Sequence, residues 1–95
     1  MRIDKFLKIS RIIKRRPVAK KITDQGRVFV NGKVAKSASK VGVGDELLIK
    51  FGNKELTVRV DQLLQTTKKA ESDQMYTVLD EKYIRDYDKE TEELL

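Results

Sequence analysis

The dipeptide Asn31-Gly32 constrains this chain more than any other feature. It separates Val28-Phe29-Val30 from Lys33-Val34. Asn-Gly is the preferred centre of a two-residue type I′ turn, because both central residues need positive φ. Residues 27–35 are therefore expected to fold back on themselves as a β-hairpin. Residues 46–51 (Glu-Leu-Leu-Ile-Lys-Phe) follow the turn-forming stretch 41–45, and Gly52-Asn53 reverses the chain into residues 55–60, which alternate apolar and polar. Such alternation gives a strand one buried face and fixes its register.

The segments on either side have a helical period. Ile3, Phe6, Leu7 and Ile9 fit one buried face of a short helix over residues 3–9, with Lys5 and Lys8 near the opposite face. A second helix is expected over residues 15–23. Pro17 is tolerated in its first turn, where N–H groups lack intrahelical partners, and Gly26 lies past its end. Val18, Ala19 and Ile22 form its apolar stripe. The stretch 36–40 is polar and basic and reads as a loop. Beyond residue 61 the pattern weakens, but Met75, Val78, Leu79, Tyr83, Ile84 and Tyr87 recur near helical spacing, which predicts an amphipathic helix over about 74–88. The expected fold class is α+β: two short N-terminal helices packed on a small twisted antiparallel sheet, with a C-terminal helical or partly disordered acidic tail. The expected division is a domain over 1–61 and an extension over 62–95.

Ninety-five residues allow one small core. His, Cys and Trp are absent, which removes zinc-finger patterns, thiol nucleophiles, disulfide frameworks and imidazole chemistry. No apolar run is long enough for a membrane-spanning helix, and the N-terminus lacks the apolar stretch of a signal peptide. A soluble cytoplasmic protein is expected. The formal net charge is +6, but it is unevenly placed. Residues 1–40 carry thirteen Lys or Arg against two acids, Asp4 and Asp24, whereas residues 70–95 carry three against nine. A basic first half suits a polyanion.

Enzymatic candidates are few. Asp45 follows Gly44, where a carboxylate caps a turn. Asp4 sits at a helix start, where it satisfies free N–H groups. Gly42-Val43-Gly44 belongs to no phosphate-loop pattern. No cofactor, metal or small-molecule substrate is implied, and the chain reads as a non-enzyme. The stronger signal is Arg2, Lys5, Lys8, Arg11, Lys14, Arg15, Arg16, Lys20 and Lys21, nine cations in twenty-one residues. Such a surface neutralises phosphates and releases counterions, and Arg adds bidentate geometry. Lys33, Lys36 and Lys40 extend the strip. Phe29 is assigned to the core rather than to base stacking. With no recognition-helix or zipper pattern, folded RNA is the partner that shape and phosphate contacts suit best.

The residues Arg2-Ile3-Asp4-Lys5-Phe6-Leu7, Ser10-Arg11 and Arg16-Pro17-Val18-Ala19, with Ile22 and Gly26, resemble the first half of the S-four-type (α-L) RNA-binding domain. Val28 to Val34, Ser39, Val41, Gly44-Asp45 and Leu47 resemble its second half. The chain is further similar to the small stand-alone members that act in bacterial ribosome-associated quality control, relatives of the heat shock protein fifteen family. Lys14-Arg15-Arg16, Thr66-Thr67-Lys68-Lys69 and residues 75–79 carry that likeness. The resemblance implies binding to a large ribosomal subunit obstructed by peptidyl-tRNA, through large-subunit ribosomal RNA and the P-site tRNA. It also implies cooperation with the tRNA-delivering partner RqcH in C-terminal alanine tailing. Arg2, Asp4, Arg11 and Arg16 are the positions that match the family motif, and the resemblance implies that they serve RNA binding, with Asp4 either orienting a neighbouring Arg or capping the helix. Arg15 departs from the Ser or Thr common there and cannot cap the second helix. Three other functions fit the same residues: a heat-shock-type recycling factor for large subunits, an adaptor that docks a basic protein through residues 80–95, and a detached accessory of an RNA-modifying enzyme.

Overall fold

A computed structural model describes residues 1–64 and 74–83 of the chain. Two helices, α1 (Ile3–Ile9) and α2 (Arg16–Asp24), precede five strands: β1 (Val28–Val30), β2 (Lys33–Val34), β3 (Glu46–Phe51), β4 (Lys54–Val60) and β5 (Tyr76–Tyr83). The strands form one antiparallel sheet in the order β2-β1-β3-β4-β5. The α+β class expected from the pattern is the one observed.

Asn31 (φ 51°) and Gly32 (φ 83°) both take positive φ at the β1–β2 turn, as a type I′ hairpin requires. The Asn31 amide then ties this turn to the start of β3. Its Nδ2 donates to Asp45 Oδ1 at 3.1 Å, and its Oδ1 accepts the Glu46 N–H at 3.0 Å. Asp45 Oδ2 in turn accepts the Gly42 N–H at 2.7 Å, so its carboxylate caps a turn.

One apolar core joins the helices to one face of the sheet. Ile3, Phe6, Leu7, Ile13, Ala19 and Ile22 meet Val28, Leu47, Ile49, Phe51, Val58 and Val60, all essentially inaccessible to solvent. Alternate residues along β3 and β4 point to the opposite face, so Leu48 and Thr57 are half-buried and Lys50 is exposed. Phe29 pairs with Leu48 and lies on that outer face, half-buried, not in the core to which the sequence assigned it. β1 reads Val-Phe-Val, and three consecutive apolar residues leave its inward face undefined.

A second difference concerns the C-terminal segment. The helix expected over 74–88 is a strand, β5, over residues 76–83; residues 84–95 lie outside the described residues. β5 pairs along the whole of β4, with a bulge at Thr57/Val58: Thr57 faces Asp80 while Val58 faces Val78. Leu79 is the extra residue. The bulge interrupts the alternation midway along the strand, and residues 77–83 are all exposed, so burial imposes no period of two on its apolar positions, which mimic a helical spacing. Arg59, Asp61 and Thr77 fasten the β4–β5 pair at one end. Arg59 Nε donates to Asp61 at 2.9 Å, and the Thr77 hydroxyl donates to the same carboxylate. These bonds hold the Asp61 carboxyl below its usual pKa.

Met75, at the start of β5, is fully buried, whereas Leu79 is 44% exposed. Met75→Ala is therefore expected to lower unfolding free energy by about 2–4 kcal/mol in urea titration. Leu79→Ala should change it by about 0.5 kcal/mol or less. Similar small losses for both would mean that Met75 does not belong to the core.

Candidate nucleic-acid interface

The site is built on the start of α1. Helices leave their first N–H groups without intrahelical partners, and Arg2, the residue before α1, offers no side-chain cap. The loop 36–41 supplies the acceptors instead. Ile3 N–H donates to the Ser39 carbonyl at 2.7 Å, and Asp4 N–H reaches the Ser37 carbonyl at 3.5 Å. Arg2 and Lys40 form an antiparallel bridge, and Val41 N–H donates to the Met1 carbonyl at 2.9 Å.

This loop is fixed from its other side by Asp24, the last residue of α2. Asp24 Oδ1 accepts the Ser37 N–H at 2.9 Å and Oδ2 accepts its hydroxyl at 3.2 Å. The Ser37 N–H lowers the Asp24 pKa most; Lys20 and Lys36 lower it through charge. One carboxylate thus ties the end of α2 to the loop through Ser37. Residue order did not single out this link; the signal was that Asp24 is one of two acids in the basic first forty residues.

Asp4, the other of these acids, is 2% exposed. Its Oδ2 accepts Arg2 Nη2 at 3.2 Å, its Oδ1 lies 3.6 Å from Arg16 Nη2, and Oδ1 also accepts the Lys5 N–H at 2.8 Å. Both guanidinium groups remain nearly half exposed, at 45% and 46%. Asp4 therefore pairs with two arginines from beneath, itself nearly inaccessible to solvent. Arg2, Asp4, Arg16, Pro17 and Lys20 line an open notch of about 330 Å³.

The other expected cations are placed differently. Lys8, Arg11, Lys14, Arg15 and Lys21 are exposed and Lys5 is half-buried, but none of the six lines the notch. Lys8 closes the last turn of α1. Arg11 lies just past it with φ 64°, a left-handed conformation usually given to Gly at a helix end. Its N–H donates to the Lys8 carbonyl at 3.1 Å. Arg15 is the residue before α2 and makes no side-chain cap, and the first turn of α2 contains no acid. Two arginines thus stand at the positive end of a helix dipole, where negative charge is favoured. An anion brought against Arg15, Arg16 and the free N–H groups would reverse that unfavourable arrangement.

Among the described residues no three carboxylates gather as a metal site would need, and no helix is long and apolar enough to cross a membrane. The arrangement is one of fixed cations around an open notch, suited to binding an anionic surface.

Arg11 tests whether position or stability governs this surface. Arg11→Gly is expected to raise unfolding free energy by about 0.5–1 kcal/mol, because it relieves the left-handed strain. Destabilisation instead would give the Arg11 side chain a structural role.

Comparison with known proteins extends the geometry. The S4 domain matches residues 1–47. The RQC P-site tRNA stabilizing factor of Bacillus subtilis is 57% identical over 81 residues, covering 85% of this chain and 94% of that protein. The factor of the same name from Streptococcus pneumoniae is 51% identical over 81 residues, covering 85% and 92%. Among solved structures, trimeric heat shock protein 15 from Vibrio cholerae superposes with a TM-score of 0.77 at 28% identity, covering 82% of this chain and 80% of that one.

Proposed function

Because the chain belongs to the S4-domain family of RQC P-site tRNA stabilizing factors, we propose that it is a non-catalytic RNA-binding factor of ribosome-associated quality control in the cytoplasm. It holds P-site tRNA on a large ribosomal subunit obstructed by peptidyl-tRNA. In this reading α1 and α2 contact the tRNA and large-subunit ribosomal RNA, and the complex supports C-terminal alanine tailing together with RqcH. The observation that carries it is the Asp4 carboxylate, which orients Arg2 and Arg16 at the mouth of the notch.

The mechanism is an electrostatic clamp whose shape is set before binding. Arg2 and Arg16 share one buried acceptor, so their exposed donors have less conformational freedom to lose when a phosphate arrives. Guanidinium forks meet phosphate oxygens bidentately, and Lys20, Lys36 and Lys40 add point charges along the same edge. Arg11, Lys14 and Arg15 extend the cationic surface between the helices, with Lys5, Lys8 and Lys21 on its flanks. The sheet contributes rigidity: it holds loop 36–41, which holds the start of α1.

The likeness to heat shock protein 15 supports a second reading, a recycling factor for large subunits that does not take part in tailing. Co-purification with RqcH separates the two. RqcH retained with the protein on large subunits favours tailing, and its absence favours recycling.

Binding of purified protein to tRNA-loaded large subunits tests the clamp. Arg16→Ala should weaken it by about ten- to a hundredfold, the range for a lost charged hydrogen bond, with the thermal melt nearly unchanged. Asp4→Asn discriminates more sharply. Simple charge counting has the loss of an acid tighten binding to RNA, whereas loss of the shared acceptor should weaken it. Affinity should fall with salt at a log–log slope of roughly −4 to −5, for five to six phosphate contacts. A flat salt response would contradict the electrostatic reading.

A further inference from the structure

The face of the sheet turned away from the helices carries a second candidate site. Phe29 and Leu48 lie side by side on adjacent strands, and Thr57 follows Leu48 on the next. All three are half-buried. They line an open groove of about 400 Å³, together with Gly32, Glu46 and Lys50. Lys50 Nζ stands 5.0 Å from the centroid of the Phe29 ring, within the range of a cation–π contact. Arg27 lies at the same end, where its Nε donates to the Lys50 carbonyl at 2.9 Å. The Glu46 carboxylate is exposed.

These groups have the parts that an unpaired nucleotide needs. An aromatic ring on an open sheet face offers a flat apolar surface for a base, and stacking tolerates any base because each has a π-face. Lys50, which lines the groove, places positive charge where the attached phosphate would lie. The Glu46 carboxylate can accept hydrogen bonds from an exocyclic amine, as acidic side chains do from cytosine N4. That favours adenine or cytosine over uracil, which has no such amine. The Lys50 ammonium beside the ring gives the groove its charge complementarity to nucleic acid.

We propose that the groove around Phe29 binds an unpaired nucleotide of RNA, its base stacked on the Phe29 ring and its phosphate met by Lys50. The site lies on the face opposite the core-facing helices and adds to the RNA-binding reading without using Arg2 or Arg16. Lys50 covers the ring in the free protein and would exchange this contact for the phosphate as the base enters.

The test is a titration of the full chain with short oligoadenylate, followed by NMR. Upfield movement of the Phe29 ring protons is expected, with weaker binding of oligouridylate. Phe29→Leu should lower oligoadenylate affinity by about five- to a hundredfold, the range for one lost stacked base, and leave binding to an RNA duplex without unpaired bases unchanged. Phe29 resonances that stay fixed at saturation, or equal losses for oligoadenylate and duplex, would overturn the proposal. A photo-crosslinking amino acid in place of Phe29 identifies the occupant on isolated large subunits. A cross-link to RNA supports the nucleotide site, and a cross-link to a ribosomal protein overturns it. If Arg16→Ala weakens duplex binding while Phe29→Leu changes nothing, the groove fails and the clamp stands. If neither substitution affects any RNA, the RNA-binding reading fails as well.

Discussion

The pairing of one buried carboxylate with two half-exposed guanidinium groups organises the basic end of this molecule. A buried acid without partners would be costly, so Asp4 draws Arg2 and Arg16 to itself. Those two residues are fourteen positions apart, on either side of α1 and its connection to α2. Their shared acceptor therefore fixes how the two helices present charge. The same acid closes the first turn through the Lys5 N–H, while the backbone of loop 36–41 receives the other free N–H groups. Asp24 completes the set by holding Ser37. Of the two acids of the basic half, Asp4 thus fastens two arginines and Asp24 fastens the loop beside them.

Around this centre the chain departs from local preference wherever a cation is wanted. Arg11 takes a left-handed backbone that Gly would adopt at no steric cost. Arg15 occupies a cap position where Ser, Thr, Asp or Asn would satisfy an N–H, and α2 begins without an acid. Each choice sacrifices a little stability. Their concentration between the helices, rather than along the sheet, is the pattern expected where function overrides the local optimum. The sheet conforms to local preference by comparison. Its turn residues take the dihedral angles their types favour, and its inward positions are apolar throughout β3 and most of β4.

Much of this was legible from residue order. Asn31-Gly32 gave the hairpin, Gly52-Asn53 the second reversal, and the spacing of Ile3, Phe6, Leu7 and Ile9 the buried face of α1. The cations were equally plain. What residue order conceals is phase and partnership. The bulge beside Leu79 interrupts the pairing register of β5, whose residues 77–83 are all exposed, so a strand takes on the spacing of a helix. Phe29 lies between two valines, and its outward direction is settled by pairing with Leu48, a residue nineteen positions away. The burial of Asp4 depends on the loop that packs over the start of α1. Sequence had left it either a helix cap or a partner for Arg, and in the structure it is both.

Sedimentation of tagged protein from cells, with sequencing of the RNA that travels with it, tests the central claim most directly. The account requires migration with large subunits that carry tRNA, and exclusion from whole ribosomes. Migration at the top of the gradient, free of RNA, would contradict it.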